Sequence, residues 1–305
     1  MDWNCNDEER FRVRESVVPG NIFPLRNRGV VGLVFPRRLV QSRIGDLLLK
    51  MISPSKAPLL LVGVAAVLIV LDFFLPPIAQ PLSYHNFADH REWLGIANFG
   101  DVMSNAPFAL VGVWGLIALL VPGKMKFQNA AERWPYFMMF AGLILTAFGS
   151  GYYHLAPDNA RLVWDRIPIM IAMMALVAAV IAERVNMNAG LAMLPVLEIT
   201  GVACVLAWRN SELQGHGDLR FYAAMQIYAV LVLLLMLLVR STYTRGSDLA
   251  VVVGFYVLAK IFEECDRQVF ALGHFVSGHP LKHLAAAVAS YWILRSLENR
   301  QVCAG

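Results

Sequence analysis

Charge is scarce in this sequence. Asp, Glu, Lys and Arg make up 16% of its 305 residues, where an ordinary soluble domain carries roughly 25%, so a water-covered globule is excluded. Cysteine is scarce as well. Cys5, Cys204, Cys265 and Cys303 are far apart and form no CxxC pair, which excludes a thiolate zinc site and a compact disulfide framework. Beyond residue 57 the chain has no net charge, because ten Lys and Arg against six Asp and Glu in residues 1–57 supply the whole formal +4. No basic surface for nucleic acid is present.

Apolar residues fill the space that charge leaves. They reach 58% of the chain, with a mean hydropathy of +0.55. From residue 58 onward they form successive runs, each close to the roughly 20 residues that cross a bilayer as a helix. The expected fold is therefore all-α integral membrane. Eight helices are expected, near 59–75, 102–121, 135–154, 162–181, 190–208, 219–239, 249–262 (extending toward Asp266) and 279–297.

The organisation follows from these runs. Residues 1–57 read as a basic, weakly ordered tail with a short surface helix at 44–52, and Met51 offers an alternative start. The tail is too long and too acidic for a cleavable signal peptide. Residues 58–77 form one additional N-terminal span, 78–101 a connecting segment, 102–297 a seven-helix core and 298–305 a C-terminal tail. Eighteen basic residues fall on the side of the tail and seven on the other. By the positive-inside rule both termini are cytoplasmic and the opposite side is periplasmic or lumenal. The protein would sit in the inner membrane of a bacterium, or in the ER or Golgi membrane of a eukaryote.

That topology brings chemistry together on the non-cytoplasmic side. The stretch "GSGYYHLAPDNARLVWDRIP" ends one helix with Ser150 and His154 and opens the next with Asp165. The last helix begins "HPLKH", so His279 and His283 lie one turn apart on one face. Three histidines, two of them at i and i+4, suit a tetrahedral Zn²⁺ with one position open for water. Two imidazoles so spaced cannot take opposite faces of one haem. Ser150 lies one turn before His154, where its hydroxyl reaches the same water or a substrate oxygen, and Asp165 is placed to take a proton as general base.

Other polar groups carry less. His85, His90, His216 and His274 fall in loops on that side, with His85 left open between structural and functional roles. Glu198 lies within a span, where an ionisable group is a functional candidate by default. Lys260 with Glu263 and Glu264 has the i, i+3 and i, i+4 spacing of a self-neutralising pair. Asp266 is placed to orient a zinc-bound histidine from outside the ligand shell. The "AAAVAS" stretch, residues 285–290, reads as a small-residue helix-packing face.

The motifs together resemble a family. "SGYYHLAPDNARLVWDRIP" is similar to the S-x-x-x-H…D-x-x-P signature of alkaline ceramidases. "DRQVF…HPLKH" resembles their late Asp followed by H-x-x-x-H, and "NFGDVMSNAPF" their N-terminal stretch ending in a Ser-Asn pair. The wider superfamily holds the progestin/adipoQ-type receptors and the Per1-like lipid-remodelling proteins, and the similarity covers about residues 84–297. The resemblance implies zinc on His154, His279 and His283, with Ser150 and Asp165 around the attacking water. It also implies a zinc-dependent amidohydrolase that cleaves a membrane lipid such as ceramide to a sphingoid base and a fatty acid. Eukaryotic members hold calcium through a D-W-C-E-x-N-Y-type segment. Here the region reads "SYHNFADHREWLGIANFGD", with Asp89, Glu92, Asn98 and Asp101 but without that motif, which puts calcium in doubt. The segment 78–101 reads equally as a lid over the pocket and as an amphipathic interfacial loop. Two other classes stand beside the hydrolase: a lipid-sensing zinc receptor, and a proton-coupled transporter using Glu198, Lys260 and Glu263 as a relay.

Overall fold

A computed structural model describes residues 55–303. The expected tail through residue 54, its surface helix at 44–52 and the last two residues lie outside the described residues. Within them the chain forms ten α-helices and two short 3-10 turns, and no strand. The helices are α1 (Ala57–Phe74), α2 (Phe99–Met103), α3 (Ala106–Leu120), α4 (Arg133–Leu155), α5 (Asn159–Arg184), α6 (Met187–Leu213), α7 (Arg220–Met236), α8 (Asp248–Glu264), α9 (Asp266–Ala271) and α10 (Gly278–Asn299).

All eight segments expected from the apolar runs are helical. Four are long and apolar enough to cross a membrane: α1, Phe99–Leu120, α5 and α6. Local chemistry sets their ends. Asp158 caps α5 by accepting from the Arg161 amide, and Asn186 caps α6 by accepting from the Ala189 amide, each satisfying a donor the helix cannot. The second expected helix differs from its expectation. It starts earlier, at Phe99, and is interrupted at Ser104 and Asn105 before α3 begins. Pro107 sits in the first turn of α3, where its missing amide costs no helical hydrogen bond.

The core is organised on α5. Met170, Met174, Val177 and Ala178 of this helix are fully buried, and α4, α6 and α7 pack around it. On the far side of α4, α3 packs between it and α10, while α8 lies along α10. Helices α7 and α8 barely touch, which leaves a seam between them. The additional helix α1 lies outside this arrangement against α7, with only Ala57 and Leu61 buried. Close approach at one end depends on two glycines. A Cβ on Gly149 of α4 would run into the Trp164 carbonyl of α5, and one on Gly278 would run into the Phe262 carbonyl of α8.

The opposite end is tied by polar contacts. Arg300 forms an ion pair with Glu183, which also accepts from the Tyr136 hydroxyl, while the Tyr243 hydroxyl donates to Glu132. Arg184 donates to the carbonyls of Met236, Val239 and Gly246 at 2.8, 2.7 and 2.6 Å.

Between α1 and α2 the chain crosses the other end as a strap, residues 75–98, with one 3-10 turn at Leu82–His85. Polar ties hold it down. The Ala88 amide donates to Asp266, His85 bonds both the Tyr153 hydroxyl (2.8 Å) and Asn159 (2.7 Å), and Arg267 donates to the Asn86 carbonyl. Arg91 bridges Asp89 to the Phe275 carbonyl. Its guanidinium holds the Asp89 carboxyl below the usual carboxylate range.

Removing one partner of a buried ion pair strands the other charge, at a cost of about 3–5 kcal/mol. Glu183→Ala should therefore destabilise the protein by about that amount, because Arg300 is 3% exposed, whereas Glu183→Asp should cost less. Thermal unfolding in detergent measures both.

Candidate metal centre

Three buried histidines converge at the end where α4 finishes and α5 and α10 begin. His154, His279 and His283 each offer a ring nitrogen within 4.8 Å of the others. The ring centroids stand 4.8 to 5.1 Å apart and the planes are steeply inclined, so the rings meet by their edges and do not stack. His154 Nε2 and His279 Nε2 are 3.3 Å apart. Ligands about 2.0–2.1 Å from a tetrahedral zinc lie about 3.3–3.4 Å from one another, the spacing of the His154–His279 pair, while all three nitrogens lie within 4.8 Å.

The donor inventory points the same way. A neutral imidazole has one N–H and one lone pair. The Ser104 hydroxyl donates to the Asp101 carbonyl (3.0 Å), so it must accept from His283 Nδ1, 2.8 Å away. That fixes the tautomer and leaves His283 Nε2 with a free lone pair, the form a metal requires. His154 Nδ1 is buried without a partner. The three rings can share at most one N–H between His154 and His279, and a cation satisfies the remaining lone pairs. This buried group can bind a metal ion.

The surroundings hold the rings from several elements. Asn98, in a left-handed turn before α2, donates to the His154 carbonyl at 2.8 Å. Phe87 of the strap lies on His154 and His279, with ring centroids at 4.7 and 4.4 Å. Its burial at 5% exposure contributes about 1.5–3 kcal/mol toward keeping the strap over the centre. Asp266 acts differently from the expectation. Its carboxylate accepts from the backbone amide of His279 (2.8 Å) and from the Ala88 amide (2.8 Å), not from an imidazole. It caps the start of α10 and pins the strap in one contact.

Ser150 and Asp165 are brought to the same place. Both are buried, Ser150 lies against the Asp165 carboxyl, and Asp165 Oδ1 has no hydrogen-bond partner. The missing Cβ of Gly149 lets α5 come close enough for this meeting. With His279 and His283 they line one end of a cavity of about 630 Å³, whose walls continue through Leu143, Ala172, Met173, Ala286 and Ala289. Val230 and Leu233 of α7 face it from one side of the seam, and Val253 and Tyr256 of α8 from the other.

Lys260 pairs with Glu263, as its spacing suggested, but Glu263 also takes Lys282 of α10 at 2.6 Å. This Lys–Glu–Lys chain borders the cavity. Glu198 does not, although both of its carboxylate oxygens are buried without partners. The three residues of the transport relay are thus not brought together. His85 is used in the strap, and His90 bonds Asn98 and Asn86 within the loop. The Ser-Asn pair after "NFGDVM" marks the position of Ser104, but spacing alone gives it no role.

No protein-family model matches the chain, and no curated protein matches it significantly.

The protein should bind one divalent metal per chain, lost in His154→Ala. Ser104→Ala removes the acceptor that orients His283 and should weaken binding about 10–100-fold, the usual effect of losing such a partner. Elemental analysis across a chelator titration gives both values, and full metal retention in His154→Ala would remove the site.

Proposed function

We propose that the protein is a multi-pass membrane hydrolase that uses zinc to cleave the amide bond of a lipid, with ceramide or a close relative as substrate. One observation supports the reading: a buried carboxyl with an unpartnered oxygen lies against the Ser150 hydroxyl and lines the same largely apolar cavity as His279 and His283 of the three-imidazole group. An apolar hollow of this size accepts a hydrocarbon chain, and the polar end meets the carbonyl where the chain stops. The motif resemblance to alkaline ceramidases supports the same substrate class. In the proposed topology all eight long segments span the bilayer, both termini face the cytoplasm, and the metal centre opens toward the periplasm or lumen.

Zinc fits the all-imidazole donor set, and when bound it supplies a Lewis acid that polarises a carbonyl and acidifies water. The chain's own groups do the rest. Asp165 takes the proton of the attacking water and passes it to the amide nitrogen, so the C–O bond forms as the C–N bond breaks and fatty acid and amine separate. Ser150 donates its hydroxyl toward the developing oxyanion, where a fixed donor in an apolar site counts most. Phe87 and the strap exclude bulk water from this end, acting as a lid. Glu263 is shared by Lys282 and Lys260 at the border of the cavity, so this chain of three leaves one positive charge there.

Asp165→Asn preserves shape but cannot accept a proton. It should retain metal and lose about 10²–10⁴-fold in rate, while Ser150→Ala should lose about 10²–10³-fold, the range for one oxyanion donor. Fatty acid release from ceramide in nanodiscs reads both. Normal turnover in the Asn variant would remove Asp165 from the mechanism, and an inert, metal-loaded wild type would shift the reading to a receptor.

Sidedness has its own test. A cysteine placed at Pro157, in the turn between α4 and α5, should react with an impermeant thiol reagent from outside intact cells. One at Lys124, at the other end of the bundle, should not. The reverse pattern would move the centre to the cytoplasmic face.

A further inference from the structure

The cavity ends on a septum. Leu176 of α5, Val252 of α8 and Ile293 of α10 line it, and the same three residues line a second hollow of about 50 Å³. The small hollow belongs to the polar end of the bundle and is walled by Arg184, Arg245, Arg300, Tyr136 and Tyr243. Among the described residues no other borders both. Just above the septum stand Leu143, Ala172, Met173, Ala286 and Ala289; below it Arg300 meets Tyr136 and Tyr243, Arg184 binds backbone carbonyls and Arg245 pairs with Asp248. A hydrocarbon chain descending from the metal centre therefore meets a three-residue floor with an unfavourable polar space behind it.

One face of α10 forms a track down to that floor. His279, His283, Ala286, Ala289, Ser290 and Ile293 all line the cavity, at the i, i+3 and i, i+4 steps that keep residues on one side of a helix. The sequence suggested that the small residues of "AAAVAS" serve helix packing, and Ala285 and Ala287 are buried in that way. Ala286, Ala289 and Ser290 instead face the hollow. Their small size leaves room for a chain beside the helix, and Ile293 is the first large side chain below the histidines on this track.

We propose that Leu176, Val252 and Ile293 act as a ruler that sets the length of the acyl chain, an inference that rests on the lipid-hydrolase reading of the site. Two helices give the length independently. Asp165 to Leu176 is eleven residues of α5 and His283 to Ile293 is ten residues of α10, about 16 and 15 Å at the helical rise of about 1.5 Å per residue. With C–C bonds of about 1.5 Å, an extended chain advances about 1.3 Å per carbon, so about 12 carbons fit beyond the carbonyl. Acyl groups of about 12–14 carbons lie straight above the floor, and longer ones must bend toward the α7–α8 seam or displace it.

The test compares ceramides with acyl chains of 8 to 22 carbons in nanodiscs. The wild type should peak at about 12–14 carbons. Ile293→Ala should raise the ratio of C18 to C12 turnover by about 10-fold or more, because accommodating even one further methylene is worth about that factor. Ala289→Phe plugs the track one turn higher, about 6 Å nearer the histidines, and should move the optimum down by four or five carbons. Val252→Ala provides the same readout as Ile293→Ala should that variant fail to fold.

A second measurement does not depend on turnover: incubate wild type and variants with an equimolar mixture of free fatty acids and identify by mass spectrometry those retained. Hydrolysis with a chain profile unchanged in all three variants would overturn the ruler and leave the hydrolase standing. No hydrolysis, but retention that shifts with Ile293 and Ala289, would overturn the enzyme and keep the ruler as a binding property. No hydrolysis and no length-dependent retention would overturn both.

Discussion

Three buried imidazoles aimed at one point cannot satisfy one another. At most one N–H is available between His154 and His279, and His283 has already committed its proton to Ser104. Lone pairs brought this close in an apolar interior repel unless a cation lies among them. The chain nevertheless builds several contacts whose effect is to hold the rings there. Asn98 grips the His154 backbone, Asp266 grips that of His279, and Phe87 lies across both rings. Those contacts come from the strap, the turn before α2 and the α8–α9 junction, so much of this end of the fold is arranged around the same point.

Glycine makes that arrangement possible at two places. A side chain at Gly149 would separate α4 from α5 and draw Ser150 away from Asp165. One at Gly278 would lift the start of α10 off α8 and carry both of its histidines outward. In each case the close contact is with backbone, which cannot rotate aside as a side chain can. Packing and chemistry therefore share their geometry here, and a change in one is a change in the other.

Much of this was legible in the sequence because helices translate spacing into position. His279 and His283, and Ser150 and His154, lie at i and i+4, and the apolar runs fixed which helix ends meet. What could not be read depends on departures from regular helix. The interruption at Ser104 and Asn105 turns a serine toward His283, and periodicity has no term for such a break. The contact of Asp266 is hidden for a related reason: a carboxylate near a histidine in sequence can serve its ring or its backbone, and only the fold shows that here it takes the backbone amide. Lys282 was hidden behind its neighbours, since its partner Glu263 lies on another helix. The strap was the least legible part, because its ties to Tyr153, Asn159 and Asp266 are all long-range.

The order of the ligands along the chain also bears on how the centre is made. His279 follows His154 by 125 residues. During synthesis α4 is therefore complete while four further helices of the bundle, α5 to α8, and then α9, have still to emerge before a second ligand exists. A lone imidazole holds a metal ion poorly, so the three-histidine group is complete only after α10 has docked, when Ser104, made earlier in the chain, meets His283. By then the strap, which was made earlier, has its anchor points on Asp266 and Arg267 for the first time. Completing the three-histidine group and fastening the strap over it are thus late events of biogenesis.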